Sequence, residues 1–375
     1  MMKVCFIVNE LNFFLSHRLD LALELKKYHE IELITDTKNC AQGLIDELEL
    51  QGIKIIHLNQ RSGKCSIVGF VKYLSRLKKI LLFRKPDSIL LVTIELSFIG
   101  SLIAQFRTIG KLIFVISGLG EFRKPQRLRE KIIWKIFKFS TLLLNFQKKD
   151  HKFIFQNNDD KTRFLISNIS NEKNSYVIHG NGIRLDRFKR GLTDNKIKPS
   201  FLFAARLLVS KGIIEYFKTS IKLKKKYPEL NFSIAGSYNP KNNDSISKKI
   251  MDLIKNSKEI NFLGEIKHDS MHKIYASHSI FVLPSYGEGL PRSAIEAACM
   301  NMPLVMTDVA GCKECIEDKK NGFLISLKDN VSLFQAMEKF ILNPDLICAM
   351  GKKSNEIAKN KFSIEKIAND YRKII

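Results

Sequence analysis

The stretch Pro284–Asp308 reads PSYGEGLPRSAIEAACMNMPLVMTD, and its pattern decides the fold class. It follows Ile280-Phe281-Val282-Leu283, a short apolar run rich in β-branched residues, of the kind that forms a buried strand. Pro291, Ser293 and the alanines after them read as the first turns of a helix. Glu288 therefore sits on a glycine-flanked loop at a strand's carboxyl end, and Glu296 lies within the helix that follows. Gly287 and Gly289 let the backbone come close to a ligand, and a helix start offers unpaired N–H groups to an anion. Such a site suits a polar, hydroxyl-rich, phosphorylated molecule.

Outward from this stretch, strand and helix signals alternate twice over. In the first half the apolar runs are Val4–Val8, Ile31–Thr35, Ile53–Leu58, Ile89–Thr93, Leu112–Ile116 and Phe153–Phe155. A helix is expected over Leu15–Tyr28, with Leu19, Leu21, Ala22 and Leu25 inward. The second half repeats the scheme with Phe201–Ala205, Phe232–Ala235, Ile260–Leu263, Ile280–Leu283 and Leu304–Met306, and with a helix over Lys211–Tyr227. Alternation of this kind predicts an α/β chain of two doubly wound parallel sheets, with ligands at the carboxyl ends of the strands in a cleft between two lobes. The polar, basic segment Asp186–Pro199 reads as the hinge.

The spacing of Glu288 and Glu296 resembles the E-x7-E pattern of family 4 retaining glycosyltransferases, whose fold, GT-B, is built from two Rossmann-like domains facing across a cleft. Three further matches follow in the family's order. Arg206 and Lys211 in AARLLVSKG resemble its R-x4-K diphosphate clamp. Asn181-Gly182-Ile183 with Phe188 resembles its interdomain turn, and Asn261-Phe262-Leu263-Gly264 looks like its base-binding segment. The resemblance implies an N-terminal acceptor-binding and membrane-docking domain over 1–185, a nucleotide-sugar domain over 186–361, and a C-terminal helix, 362–375, packing back on the first.

It also implies roles. Breaking the anomeric C–O bond of a nucleotide-sugar leaves a nucleoside diphosphate, and fixed cations at that oxygen favour the transition state over the ground state. Arg206 would grip phosphate with a planar fork and Lys211 would act as a compact charge. Glu288 would face the donor sugar, and Glu296 would hold the ribose hydroxyls. Gly289 and Leu290 would offer backbone N–H groups, with Ser293, Asn181, Gly182 and Gly264 as further contacts. Retaining enzymes of this type are thought to use same-face attack assisted by the leaving phosphate, so no protein nucleophile is expected. No D-x-D occurs, so neither a metal nor another cofactor is expected; the nucleotide-sugar is a co-substrate.

In the N-terminal half, Phe14-Leu15-Ser16-His17-Arg18 and Ser117-Gly118-Leu119-Gly120 resemble a subgroup that extends lipid-linked glycans for O-antigen, capsule or N-glycan assembly. His17 binds donor or acceptor on this reading, or caps its helix. Ser117, Gly118 and Gly120 stand where many relatives place a histidine near the reacting sugar. The subgroup implies a UDP-sugar donor, carrying an N-acetylhexosamine or a hexose, and a polyprenyl-diphosphate-linked acceptor.

The chain has 375 residues, 45% hydrophobic, with seven cysteines in no paired framework, which is globular composition and fits a reducing cytoplasm. No signal peptide is read, and the apolar region Ile89–Phe106, broken by Glu95, reads as strand then helix rather than a bilayer span. Net charge is +24, and Arg61–Asp150 alone holds 19 Lys or Arg against 5 acidic residues. Arg123, Lys124, Arg127, Arg129, Lys131, Lys135 and Lys138 flank Trp134 and its apolar neighbours, and Lys78–Lys85 forms a second cluster. A basic helix with aromatics fits an anionic membrane surface, giving a peripheral protein on the inner face of the cytoplasmic membrane. Its stripe Leu128, Ile132, Ile136, Phe139 and Leu143 is expected to be buried, with Trp134 exposed.

Two other classes compete. A sugar-nucleotide epimerase would share the fold and nucleotide site, and a basic nucleic-acid-binding protein would explain the charge. The second leaves the site motifs unexplained and shows no recognised module. An NAD dehydrogenase fits poorly, since Gly118-Leu119-Gly120 lacks a third glycine and follows the fifth strand. Cys312-x-x-Cys315 with His268 and His272 is a weak zinc pattern.

Overall fold

The computed structural model describes residues 1–38, 40–58, 67–105, 110–119, 128–188 and 198–375. The chain divides into two compact units, Met1–Gly182 with Ile364–Ile375, and Ile183–Ser363.

In the first unit, β1 (Lys3–Glu10), β2 (Glu30–Asp36), β3 (Lys54–His57), β4 (Ser88–Val92), β5 (Lys111–Ile116), β6 (His151–Phe155) and β7 (Ser175–Val177) form one parallel sheet in the order β3-β2-β1-β4-β5-β6-β7. Alternate side chains of β1 enter opposite cores, as a strand's period of two requires. Val4, Phe6 and Val8 join one core, and Cys5 and Ile7 join the other. The helix Ile364–Arg372 closes the first of these cores with Ile364, Ile367, Ala368 and Tyr371.

The expected helix over Leu15–Tyr28 is two helices, Leu11–His17 and Leu19–Lys26, separated by Arg18 at φ −125°. Arg18 is fully buried, and its Nη1 donates to the Tyr371 hydroxyl at 3.1 Å. Strand β7 escaped the sequence reading because three residues leave almost no periodicity to detect.

The second unit holds β8 (Ser200–Ala204), β9 (Asn231–Ala235), β10 (Asn261–Gly264), β11 (Ile280–Leu283), β12 (Leu304–Thr307) and β13 (Gly322–Ile325), parallel in the order β10-β9-β8-β11-β12-β13. Chain order reverses between β8 and β11, which pair at Ile280 with Phe201 and Phe281 with Leu202. Loops leaving the carboxyl ends of two such strands splay to opposite faces of the sheet and leave a crevice. Arg206 and Lys211 follow β8, and Glu288 follows β11.

The expectation for the basic helix is overturned. In the helix Leu128–Phe146, Ile132, Ile136, Phe139 and Phe146 are 47%, 42%, 62% and 86% exposed. Phe137, Thr141 and Leu144 are buried instead, and Trp134 packs edge-on against Phe164 at 5.4 Å. Both stripes have helical spacing, so periodicity does not choose between them. Phe137 does, because its ring meets Phe98, Phe114 and Phe164 at 6.1–6.2 Å. Arg123, Lys124 and Arg127 of the basic cluster and 189–197 of the hinge segment lie outside the described residues. Ile89–Phe106 divides into β4 and the helix Ile94–Ile103, and among the described residues no helix is long and apolar enough to cross a membrane.

One glycine fixes how the loops after β8 and β11 meet. Gly212 has φ +72°, and a Cβ there would lie 2.0 Å from the Pro284 carbonyl oxygen. Gly212→Ala is expected to cost about 2–4 kcal/mol, from left-handed backbone strain plus overpacking. Urea unfolding of wild type and variant measures it; an unchanged midpoint would mean that the two loops separate without cost.

Candidate active site

The loop after β8 is held at several points before it reaches Lys211. Leu207 N–H donates to the Ser237 carbonyl at 3.0 Å and Val209 N–H to the Asp244 carbonyl at 2.8 Å. Ser210 hydrogen-bonds the Asp244 carboxylate through both its N–H and its hydroxyl. The turn Val209–Lys211 then runs through Gly212 into the helix Ile213–Lys226.

The loop after β11 is fastened to the first. The Ser210 carbonyl accepts from Tyr286 N–H at 2.8 Å and from the Ser285 hydroxyl at 3.1 Å. Glu288 N–H reaches the Ala310 carbonyl at 3.1 Å, and Gly311, at φ +77°, leaves no room for a Cβ beside the carbonyls of Glu288 and Gly289.

This double fastening brings Lys211 and Glu288 together. Lys211 Nζ donates to Glu288 Oε2 at 2.5 Å, with the two side chains 19% and 9% exposed. The other carboxylate oxygen, Oε1, is buried and has no hydrogen-bond partner among the described residues. Arg206, on the same loop as Lys211, is exposed and forms no ion pair with a described residue.

Glu296 is satisfied differently. It lies buried in the helix Arg292–Cys299, where Oε1 accepts from His268 Nε2 at 3.0 Å and Arg292 Nε at 2.8 Å. Oε2 accepts from the Tyr275 hydroxyl at 3.0 Å. Phe188 backs this cluster, its ring 6.2 Å from Tyr275 and 6.3 Å from His268. Burial pushes the Glu296 carboxyl up, but the His268 hydrogen bond and the Arg292 charge outweigh it and hold it below the usual carboxylate range. Tyr275 moves well above its ordinary value through burial and the neighbouring carboxylate. His268, Tyr275 and Arg292 were not singled out as partners of Glu296 from sequence. Arg292 alone left a signal there, four residues before Glu296 on one helix.

The remaining sequence candidates are dispersed. Leu290 packs partly buried on the second unit's core, and Ser293 is half-buried in the first turn of its helix. Gly264 ends β10 at φ +72°, with open space where a side chain would be and its carbonyl accepting from Gly236 N–H at 2.8 Å.

In the first unit, His17 ends its helix, stacked on Phe13 at 4.7 Å, with its Nδ1 2.7 Å from the Ser16 hydroxyl. Ser117 and Gly118 follow β5, and Gly120 lies outside the described residues. Asn181 Oδ1 accepts from Gln156 at 3.2 Å, and Gly182 is required by the close approach of Ile364. Thr93, a β-branched residue at φ 102° and ψ 157°, sits strained at the end of β4, where that sheet's order reverses. His268 is engaged by Glu296, Cys312 and Cys315 are buried, and burial raises the Cys315 thiol far above its usual range. Among the described residues no group of three or more His, Cys, Asp or Glu could hold a metal ion.

Comparison with known proteins assigns the family. The glycosyl transferases group 1 family matches residues 184–361, and the glycosyl transferase 4-like family matches residues 3–157. The chain belongs to the glycosyltransferases.

An uncharacterized glycosyltransferase of Haemophilus influenzae is 31% identical over 192 residues; the match spans 51% of this chain and about half, 52%, of the relative. The N,N'-diacetylbacillosaminyl-diphospho-undecaprenol alpha-1,3-N-acetylgalactosaminyltransferase of Campylobacter jejuni is 27% identical over 310 residues, covering 78% of this chain and 79% of that one. The crystal structure of Anabaena HepE in complex with UDP superposes with a TM-score of 0.78 at 17% identity, covering 99% of both chains. That likeness shows the fold, GT-B, with its two Rossmann-like units.

Because the folded-state pKa of Glu296 is depressed, its stabilising contribution is present above the usual carboxylate range and lost as pH falls through the folded value. Arg292→Ala removes one of the groups that hold it down. The acid limb of stability is expected to move to higher pH, read from urea midpoints between about pH 2 and pH 6. An unmoved limb would show that His268 and Tyr275 suffice.

Proposed function

We propose that this glycosyltransferase moves a sugar from a nucleotide-sugar, with UDP favoured as the nucleotide, to a polyprenyl-diphosphate-linked glycan, with retention and without a metal. The observation that carries the donor site is the exposed Arg206, with no ion pair to a described residue, on the loop whose Lys211 meets Glu288 where the sheet reverses. Support for the donor and acceptor classes comes from the relatives: one named for transfer to an undecaprenyl diphosphate-linked sugar, and one of like fold bound to UDP.

In this reading Arg206 and Lys211 take up the charge that grows on the diphosphate as the anomeric C–O bond breaks. Gly289 and Leu290 lend backbone N–H groups. Glu288 accepts hydrogen bonds from sugar hydroxyls and counters positive charge at the anomeric carbon. The acceptor hydroxyl attacks on the face the leaving group departs from, its oxygen bonds the anomeric carbon, and its proton passes to a phosphate oxygen.

Glu296 takes the ribose. A carboxylate oxygen accepts two hydrogen bonds; Oε1 already has two and Oε2 has one, so Oε2 keeps one place for a hydroxyl. Gly264, with open space above it, leaves room for the base.

Docking rests on the exposed face of the helix Leu128–Phe146, where Ile132, Ile136, Phe139 and Phe146 lie beside Lys131 and Lys135. Each apolar side chain inserted contributes about 1.5–3 kcal/mol, and each cation near an anionic surface about 1 kcal/mol. That is enough for reversible binding at the cytoplasmic leaflet.

The test is turnover of a panel of nucleotide-sugars with a polyprenyl-diphosphate-linked sugar, read by mass spectrometry with and without EDTA. Arg206→Ala is expected to lower kcat/KM by about two to three orders of magnitude, as losing one transition-state donor does. EDTA is expected to change nothing. Sugar conversion without an acceptor would identify an epimerase instead. Separately, Ile136→Asp with Phe139→Asp is expected to abolish co-sedimentation with anionic vesicles. Retained binding would place the docking face elsewhere.

A further inference from the structure

The two cations of the proposed diphosphate clamp are in different states. Arg206 is exposed and without an ion pair to a described residue, whereas Lys211 is already bonded to Glu288. The backbones that carry this pair are fixed. Lys211 lies between Ser210, whose carbonyl is bonded by the Glu288 loop, and Gly212, which touches Pro284. Glu288 is tied to Ala310 through its N–H and pressed by Gly311. A diphosphate that reaches Lys211 therefore competes with a largely enclosed carboxylate for the same ammonium.

Taking Lys211 from Glu288 strands a largely enclosed negative charge, which is costly unless new donors reach it. Glu288 already has one oxygen, Oε1, buried without a partner among the described residues. Sugar hydroxyls supply such donors; a bare nucleoside diphosphate does not.

We infer that the Lys211–Glu288 ion pair makes this site discriminate against its own spent product, because only a nucleotide still carrying its sugar gives Glu288 new donors when phosphate draws on Lys211. The inference rests on the donor-site reading above and adds a second task for Glu288, release of the nucleoside diphosphate. It leads to an outcome that a role confined to sugar contact would not produce: neutralising Glu288 strengthens binding of the product.

The experiment is isothermal titration of the full chain with UDP, GDP and ADP, and with their sugar forms, for wild type, Glu288→Gln, Lys211→Ala and the double variant. With whichever diphosphate binds wild type, Glu288→Gln is expected to bind about tenfold more tightly, the scale of one charge-assisted hydrogen bond released to the ligand. In the Lys211→Ala background the same change is expected to have no effect. Glu288→Asp, which keeps the charge but shortens the reach to Lys211, replaces Glu288→Gln should that variant not fold, and is expected to tighten binding to a smaller degree.

Diphosphate affinity unchanged or weakened in both Glu288 variants would overturn the inference while leaving the donor site standing. Tightening that persists in Lys211→Ala would overturn it too, by showing plain loss of charge repulsion. No binding of any diphosphate or nucleotide-sugar to wild type would overturn the donor-site reading itself.

Discussion

The second unit is organised around a contact with no side chain in it, the approach of Gly212 to the carbonyl of Pro284. Two parallel strands at an order reversal send their loops to opposite faces of the sheet, so nothing in the sheet itself keeps those loops together. Here the backbones touch, and Ser210 ties the contact with two hydrogen bonds to its carbonyl. Everything proposed for Lys211 and Glu288 depends on that closeness, because each side chain hangs from one of the two loops. The asymmetry between the carboxylates follows from where they hang. Glu296, inside a helix and facing His268, Tyr275 and Arg292, is nearly saturated and held rigid. Glu288, on a loop, has one oxygen committed and one spare.

Much of this was legible in the residues. Runs such as Phe201–Ala205 and Ile280–Leu283 appear as β8 and β11 within a residue at each end, because strands buried on both faces have no polar positions to blur them. Family membership was legible too, through motifs whose spacing is set by a loop and a helix turn. Two of the four edge strands were not: β7 has three residues, and β13 begins with a glycine.

Partnerships across long sequence distances were also hidden. No spacing rule links Tyr275 or His268 to Glu296, and none announces that Lys211 and Glu288, 77 positions apart, share a hydrogen bond. The helix Leu128–Phe146 failed for a different reason. It carries two apolar stripes, and only the cluster of Phe98, Phe114 and Phe164 decides which turns inward. Arg18 shows the same limit, since a fully buried guanidinium against Tyr371 of the last helix contradicts any reading from hydropathy.

The outward stripe of that helix creates a colloidal problem. Greasy side chains such as Phe139 and Phe146 on the surface of one copy are adhesive toward the next. A formal charge of +24 opposes this, because identical cationic particles repel before their sticky faces meet. On the docking proposed above, that protection would disappear at an anionic sheet of lipid, where the positive charge would be neutralised and copies would gather at high density. The charge that favours dispersal in water is thus the property that would crowd copies together on a bilayer, and added salt, which screens both effects, would favour clumping in solution over assembly at the surface.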